Sequence, residues 1–205
     1  MKVGRLSFGE YLFLTISVAI VPVCFILVGD ALVSMMVHQA DMLLQMYAER
    51  ISFILVSLGI YIALSKSELI GVNERYIFSI GQLLSYTFQI ILVFIILKLV
   101  SNGNKDNIYL IFFLILNYLI AWEEEFVYRY MIPKLLKEIF CSNKIIYILQ
   151  AIIFVYIGHM GDSLIDNLIY RIPLSFFLYY LKDKTGNIIY STSLHSVWNI
   201  IINYI

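Results

Sequence analysis

Charged residues are scarce in this chain of 205 residues. They make up 14% of it, against about 25% in an ordinary soluble domain. The 14 basic residues balance the 14 acidic ones and form no stripe, which excludes the surface of a nucleic-acid-binding protein. Only 3 prolines and 10 glycines interrupt the chain, and its two cysteines form no CxxC pair. The sequence therefore predicts long uninterrupted elements and no disulfide framework.

Apolar runs fill the rest of the sequence. Hydrophobic residues make up 61% of the chain, and several runs approach the ~20 residues that a helix needs to cross a bilayer. The sequence predicts an all-α, polytopic transmembrane helical bundle of about seven spans, with residues 1–205 forming a single integral-membrane domain. The predicted spans are roughly 8–29, 51–65, 76–100, 108–132, 145–160, 163–181 and 186–205.

Two regions near the N-terminus depart from a regular span. The segment 31–50 is amphipathic, so we expect it not to cross the membrane, and 51–65 is short for a span. Lys2 and Arg5 precede an apolar stretch, as in a signal peptide. That stretch is long and has no small-x-small cleavage pattern at its end, so we expect the first helix to be retained.

The basic residues predict the orientation of the bundle. A cytoplasmic N-terminus satisfies the positive-inside rule in every loop and puts the C-terminus outside. The cytoplasmic side then receives Lys2, Arg5, Lys66, Arg75, Lys134, Lys137, Lys144, Lys182 and Lys184. The outer side receives Asp30, Asp41, Glu49, Arg50, Lys105, Asp106, Asp162 and Asp166.

Three consecutive glutamates, Glu123 to Glu125, interrupt an apolar span. Ionisable groups at membrane depth mark functional sites, because burying a carboxylate costs several kcal/mol unless it is paired. Arg129 lies four residues after Glu125, so we predict that these two pair on one helix face and that Glu125 stays ionised. Glu124, about 100° around the helix, is the freer carboxylate. Glu123 faces another direction, so we expect Glu123→Gln to be close to silent.

Two histidines also lie in apolar spans. His159 ends one span, and His195 lies in another with Asn199 four residues later on the same helix face. At 1.5 Å per residue, Glu124, His195 and His159 lie about 15, 16 and 22 Å from the nearest predicted cytoplasmic lysine of their spans. These depths agree within helix tilt, which favours one shared site inside the membrane.

Such side chains are suited to activating water toward a carbonyl group. A buried glutamate can accept a proton from water that a histidine positions, while His195 and Asn199 can donate hydrogen bonds to an oxyanion. Two alternatives remain open from the residues alone. Polar side chains in a bundle also join helices without any catalysis. Glu124, His159 and His195 could also form a zinc site with an open position, although HExxH is absent and asparagine is a poor zinc ligand.

The order and spacing of these residues resemble a known family. The CPBP intramembrane proteases, which include the CAAX prenyl endopeptidases and the bacterial Abi or bacteriocin-processing proteins, have three similar motifs. The matching motifs are Glu124-Glu125-x-x-x-Arg129, a span ending in His159, and His195-x-x-x-Asn199. The resemblance covers residues 108–202. It departs from the family at Val155, where phenylalanine usually stands four residues before the histidine, and at Tyr130, where many members have glycine.

The resemblance implies peptide-bond hydrolysis in a membrane cavity. By this likeness Glu124 and His159 activate water, His195 and Asn199 form the oxyanion site, and Glu125 and Arg129 support them. The implied substrate is a peptide or membrane protein in the lipid bilayer, and the family leaves a zinc requirement open. The chain is small, like the bacterial members of the family. Those members lie in the cell membrane and process bacteriocin or pheromone precursors. A non-catalytic immunity or scaffold protein is the alternative, and the sequence specifies neither substrate, cleavage site nor oligomeric state.

Overall fold

A computed structural model describes residues 6–37, 42–71, 80–101, 106–161 and 163–204. Within these ranges the chain is helical and has no strand, which confirms the all-α prediction. The α-helices in chain order are α1 (Phe8–Met36), α2 (Met42–Lys66), α3 (Ile80–Val100), α4 (Asn107–Glu125), α5 (Ile132–Ile139), α6 (Asn143–Ile153), α7 (Leu164–Asp166), α8 (Ile172–Thr185) and α9 (Ile188–Tyr204). Three π-helical turns lie at Phe126–Met131, Phe154–Gly158 and Asn167–Arg171.

The π-helical turns continue the helices on either side of them. Counted this way, the described residues form seven continuous helical segments that follow the seven predicted runs. The segments cover 8–36, 42–66, 80–100, 107–139, 143–158, 164–185 and 188–204. Helices α1, α2 and α3 are each long and apolar enough to cross a membrane, and Asn143–Gly158 is a shorter apolar helix.

Most described residues of the segment 31–50, which we expected to be amphipathic, belong to two long helices. Helix α1 continues to Met36, and α2 begins at Met42 and runs unbroken to Lys66. Glu49 and Arg50 lie inside α2, where Arg50 forms an ion pair with Glu123 of α4. Because that pair compensates the charge, α2 is 25 residues long and the predicted short span 51–65 is only its second part.

Local signals set several helix ends. Ser7 caps α1 in a reciprocal capping box with Glu10, and the Asp106 side chain accepts a hydrogen bond from the backbone N–H of Ile108 at the start of α4. Helix α8 ends at Gly186, which has a left-handed φ of 67° that a residue without Cβ adopts readily.

The outside of the bundle is apolar. Phe13, Leu27, Leu55, Phe88 and Leu99 are 64% to 74% exposed although each lies in a long helix. In a bilayer such side chains contact the apolar lipid chains. The backbone polar groups of a helix are meanwhile hydrogen-bonded within the helix. Together with the three spanning helices, this surface identifies an integral membrane protein.

The most deeply buried part of the chain comes directly after the three glutamates. Tyr128, Arg129, Tyr130, Met131 and Ile132 are at most 1% exposed, and they form the core with side chains from α1 and α2. The π-helical turn Phe126–Met131 is thus enclosed on all sides. The glutamates at the end of α4 are therefore fixed at the centre of the protein, not at a mobile end.

Gly29 of α1 allows α1 and α2 to approach closely. A Cβ at Gly29 would lie 2.6 Å from the backbone oxygen of Ala48 and 2.7 Å from Oγ of Ser52. We expect Gly29→Ala to destabilise the protein by about 1–3 kcal/mol, because the two helices must separate to accept the methyl group. The measurement is the melting temperature of the purified protein in detergent.

Gly59→Ala is the matched control for this change. Gly59 also lies within a spanning helix, and a Cβ there would have no atom within 4 Å. Alanine is the better helix former by up to about 1 kcal/mol, so the control should melt at the same or a higher temperature. Equal melting temperatures for the two variants would contradict the close contact between α1 and α2.

Candidate active site

The three consecutive glutamates point to three different sets of partners. Glu123 accepts a hydrogen bond from Nη1 of Arg50 at 3.0 Å. Oε1 of Glu125 lies 2.9 Å from Nδ1 of His195 and 3.4 Å from Nε of Arg129. Glu124 is left facing a cavity. Successive residues of an α-helix are about 100° apart, so a run of three carboxylates necessarily divides in this way.

Glu124 borders a cavity of about 680 Å³ inside the bundle. The cavity takes side chains from α2, α4, the second π-helical turn and His159 directly after it, α7, the third π-helical turn, α8 and α9. Its polar lining consists of Arg50, Glu124, His159, Asp166, Tyr170, Arg171, His195, Asn199 and Asn203, and Trp198 is among the remaining residues that line it. The volume lies in the range of pockets that hold a ligand the size of a short peptide fragment.

The structure brings the four predicted catalytic residues to this one cavity. Oε2 of Glu124 lies 3.4 Å from Nε2 of His195 and 4.0 Å from Nε2 of His159. Asn199 lines the same cavity one helical turn after His195. Three helical segments that are distant in the sequence therefore present their polar side chains to one another, as expected from their similar depth.

His195 lies between two carboxylates. Its Nδ1 is 2.9 Å from Glu125, and its Nε2 is 3.4 Å from Glu124. Because a carboxylate is only an acceptor, the short contact orients the ring with a proton on Nδ1. Nε2 then carries a proton only when the ring is a cationic imidazolium. Glu125 thus fixes both the tautomer and the direction of His195.

Arg129 contacts two residues of the site, Glu125 and Phe154. It is fully buried, and its guanidinium carbon lies 3.9 Å from the centre of the Phe154 ring. Glu125 is also fully buried, so the Arg129–Glu125 pair leaves neither charge uncompensated in the core. The pair and the cation–π contact join the end of α4 to the second π-helical turn.

Comparison with known protein families adds an independent observation. The family described as type II CAAX prenyl endopeptidase, Rce1-like, matches residues 106–201. This match supports the resemblance of residues 106–201 to the CPBP intramembrane proteases. No curated protein and no solved structure gave a significant match to the chain.

The match to the CPBP family begins at Asp106, directly before α4. It therefore includes Glu124, His159, His195 and Asn199, while α1, α2 and α3 lie outside it. The family consists of peptidases that act on peptide substrates within a lipid bilayer. The match therefore suggests a peptidase, and the apolar helices indicate that it is embedded in a membrane.

The second π-helical turn explains how this chain departs from the CPBP pattern. Phe154 stands five residues before His159, one more than the family spacing. In an α-helix residues five apart point roughly 140° away from each other, but a π-helix closes its hydrogen bonds at i+5. Phe154–Gly158 is π-helical, and the rings of Phe154 and His159 meet edge to face with centroids 4.8 Å apart. The wider turn keeps the two rings in contact at an interval of five residues.

Arg50 is a cavity residue that the sequence did not predict for the site. We expected it in an outer loop, but it lies in α2 and lines the cavity beside Glu124. Its partner Glu123, 73 residues later, is fully buried. The sequence shows that the carboxylate of Glu123, in an apolar span, needs a basic partner. It does not show which basic residue that partner is.

A second unpredicted contact supports His159. Nδ2 of Asn167 donates to the backbone oxygen of His159 at 3.4 Å, and Oδ1 of Asn167 accepts from Nη1 of Arg171 at 3.0 Å. Both residues belong to the third π-helical turn. This segment forms one wall of the cavity and holds the helix end that carries His159.

Zinc is compatible with the donor types of the site. Two imidazoles and a carboxylate are ordinary zinc ligands. Within the described ranges, however, no group of three or more histidine, cysteine, aspartate or glutamate side chains is arranged to hold a metal ion. Glu124 and His159 are separated by 4.0 Å. We therefore assign no step of the chemistry to a metal.

Proposed function

We propose that this protein hydrolyses a peptide bond of a membrane-bound precursor, such as a bacteriocin or pheromone precursor, in a bacterial cell membrane. Water activated by Glu124 and His159 is the nucleophile. The observation that carries the proposal is the position of the Glu124 carboxylate, 3.4 Å and 4.0 Å from the Nε2 atoms of two histidines at one cavity. Only Glu124 of the three glutamates has its carboxylate in that cavity.

The proposed reaction begins with proton transfer from water to Glu124. His159 holds the water, and the new O–C bond forms as the carbonyl electron pair moves onto oxygen. Nε2–H of His195 and the amide of Asn199 donate hydrogen bonds to that oxyanion. Glu124 then delivers its proton to the nitrogen of the leaving amine as the C–N bond breaks. One water is consumed, and a carboxylic acid and an amine are formed, which become a carboxylate and an ammonium group when the acid gives its proton to the amine.

The role of His195 requires its imidazolium form. Since Nδ1 faces Glu125, Nε2 can donate to an oxyanion only when both ring nitrogens carry protons. The ring lies between two carboxylates, with Nε2 3.4 Å from Glu124 and Nδ1 2.9 Å from Glu125. Arg129 in turn balances Glu125, so the charges of the site alternate in sign from Arg129 to Glu124.

The proposal is tested by comparing the membrane peptidomes of cells that carry wild-type protein or Glu124→Ala. We expect one or more precursors to accumulate in the variant and their fragments to disappear. If no precursor accumulates while the phenotype of the deletion is restored by Glu124→Ala, the protein acts as an immunity or scaffold protein. A catalytic function would then be excluded for that phenotype.

Activity is expected to survive strong chelators. If Glu124 is the base, removing metal ions leaves the nucleophile unchanged, while added zinc inhibits because His159 and His195 bind it. The measurement is the initial rate of cleavage by purified protein with and without chelator, together with the bound metal content. Stoichiometric zinc, with activity restored to apoprotein only by metal, would make Glu124, His159 and His195 ligands instead.

The orientation of the bundle is proposed from its basic residues. Lys134 and Lys182 lie 4.0 Å and 5.9 Å from the Tyr130 ring, so lysines of α5 and α8 share one end of the bundle. We expect this end to be cytoplasmic. Cysteines introduced at Lys137 and Lys182 should be shielded from an impermeant reagent in intact cells, and one at Met36 should react. The background is a variant with serine at the two exposed cysteines, Cys24 and Cys141. Labelling at position 137 from outside would reverse the topology.

A further inference from the structure

We propose that Arg50 is a positioning residue that, through Glu123, holds Glu124 in the cavity. This inference rests on the proposed function, since it concerns the alignment of the base. It assigns part of the active site to α2, which lies outside the region that matches the family.

The ion pair has the geometry of a specific contact. Nη1 of Arg50 lies 3.0 Å from Oε1 of Glu123, and the Glu123 side chain is completely buried. The Arg50 side chain is 20% exposed and borders the same cavity as Glu124. A charge-assisted hydrogen bond of this length restricts the direction of both side chains. The pair therefore ties the last turn of α4 to α2.

Glu124 needs such a restraint because the helix changes type directly after it. Helix α4 ends at Glu125, and the next six residues, Phe126–Met131, are π-helical. A π-helical turn contains an extra residue, so a change of hydrogen-bond register there would rotate the glutamates about the helix axis. Glu125 is held on one side by Arg129 and His195. Arg50 holds Glu123 on the other side, so the glutamate between them keeps its direction.

The effect on the reaction should appear in the rate of the chemical step. Glu124 must meet a water and a carbonyl carbon in one arrangement, and a misplacement of about 1 Å can reduce the rate of an enzyme about 100-fold. Binding of substrate to the rest of the cavity does not need that arrangement. Loss of the pair should therefore lower kcat and leave KM unchanged.

The test uses the neutral pair Arg50→Met/Glu123→Gln, because Arg50→Met alone would leave a buried carboxylate without a partner. Its melting temperature is measured first, to show that the protein is folded. Cleavage is then followed with a synthetic fluorogenic peptide that spans the site found in the peptidome comparison. We expect kcat to fall about 10- to 100-fold at unchanged KM. Arg50→Lys keeps a cation beside Glu123 and should restore most of kcat.

Tyr47→Phe is the matched control for this experiment. Tyr47 lies one turn before Arg50 in α2 and donates a hydrogen bond to the backbone oxygen of Phe112 in α4 at 2.6 Å. The change breaks another link between the same two helices, far along α4 from the glutamates. It should leave both kcat and KM as in the wild type.

Two results would overturn the positioning role. A folded neutral pair with wild-type kcat would show that Arg50 only compensates a buried charge. A raised KM with unchanged kcat would show that Arg50 contacts the substrate instead. Glu124→Gln is measured beside these variants, because normal cleavage by that protein would refute the proposed function itself, independently of Arg50.

Discussion

Glu124→Gln should abolish turnover while the protein stays folded. Glutamine keeps the shape and the hydrogen-bonding capacity of the side chain but cannot take a proton from water. General acid–base groups contribute about 10²–10⁴-fold, and we expect a loss in single-turnover cleavage of that size. The melting temperature should change little, because the Glu124 carboxylate faces a cavity and not the packed core.

Glu138→Gln is the matched control for this substitution. It makes the same chemical change at an exposed glutamate in the same continuous helical segment. Glu123→Gln, which the sequence suggested as a silent change, does not serve this purpose because the structure shows Glu123 fully buried against Arg50. Normal cleavage by Glu124→Gln would remove Glu124 from the role of base.

Arg129→Ala should produce the largest loss of stability. The change leaves the Glu125 carboxylate buried without its cation, which costs about 3–5 kcal/mol. It also removes the guanidinium that packs on Phe154 at 3.9 Å. We expect a large fall in the melting temperature or a loss of folded protein. The double variant with Glu125→Gln should recover part of this loss, since it removes the uncompensated charge but not the missing contact with Phe154.

Lys137→Ala provides the comparison for Arg129→Ala. Lys137 is an exposed cation in the same helical segment, two turns further on, so its removal should change the melting temperature very little. If Arg129→Ala melts at the same temperature as Lys137→Ala, the buried Arg129–Glu125 pair does not stabilise the protein. A double variant less stable than Arg129→Ala would contradict the explanation by charge.

The polar residues of the site are predictable because they are rare where they stand. Glu124, His159 and His195 lie in apolar spans. An ionisable group at that depth is usually paired with another polar group or takes part in function. Counting along a helix also gives the Glu125–Arg129 spacing. These are local properties, and local properties can be read from a sequence. The seven helical segments follow from apolar runs in the same way.

The residues that the sequence did not predict are held by contacts between distant elements. Arg50 ends the segment that we expected to be amphipathic, and its partner Glu123 is 73 residues away. The spacing of residues within one helix gives no information about a contact over that distance. Asn167 acts through the backbone oxygen of His159 across a turn. The spacing of Phe154 and His159 also depends on a change of helix type, which regular helical counting does not anticipate.

The π-helical turn between Phe154 and His159 has a consequence for how members of this family are found. A helix that widens locally keeps the contact on its inner face when an interval of five residues, and not four, separates the two side chains. Chains with the longer interval can therefore keep the same contact. A search pattern with a fixed interval of four residues would pass over such chains. One that allows an interval of four or five would retain them, and an alignment should place its gap in the turn and not at the histidine.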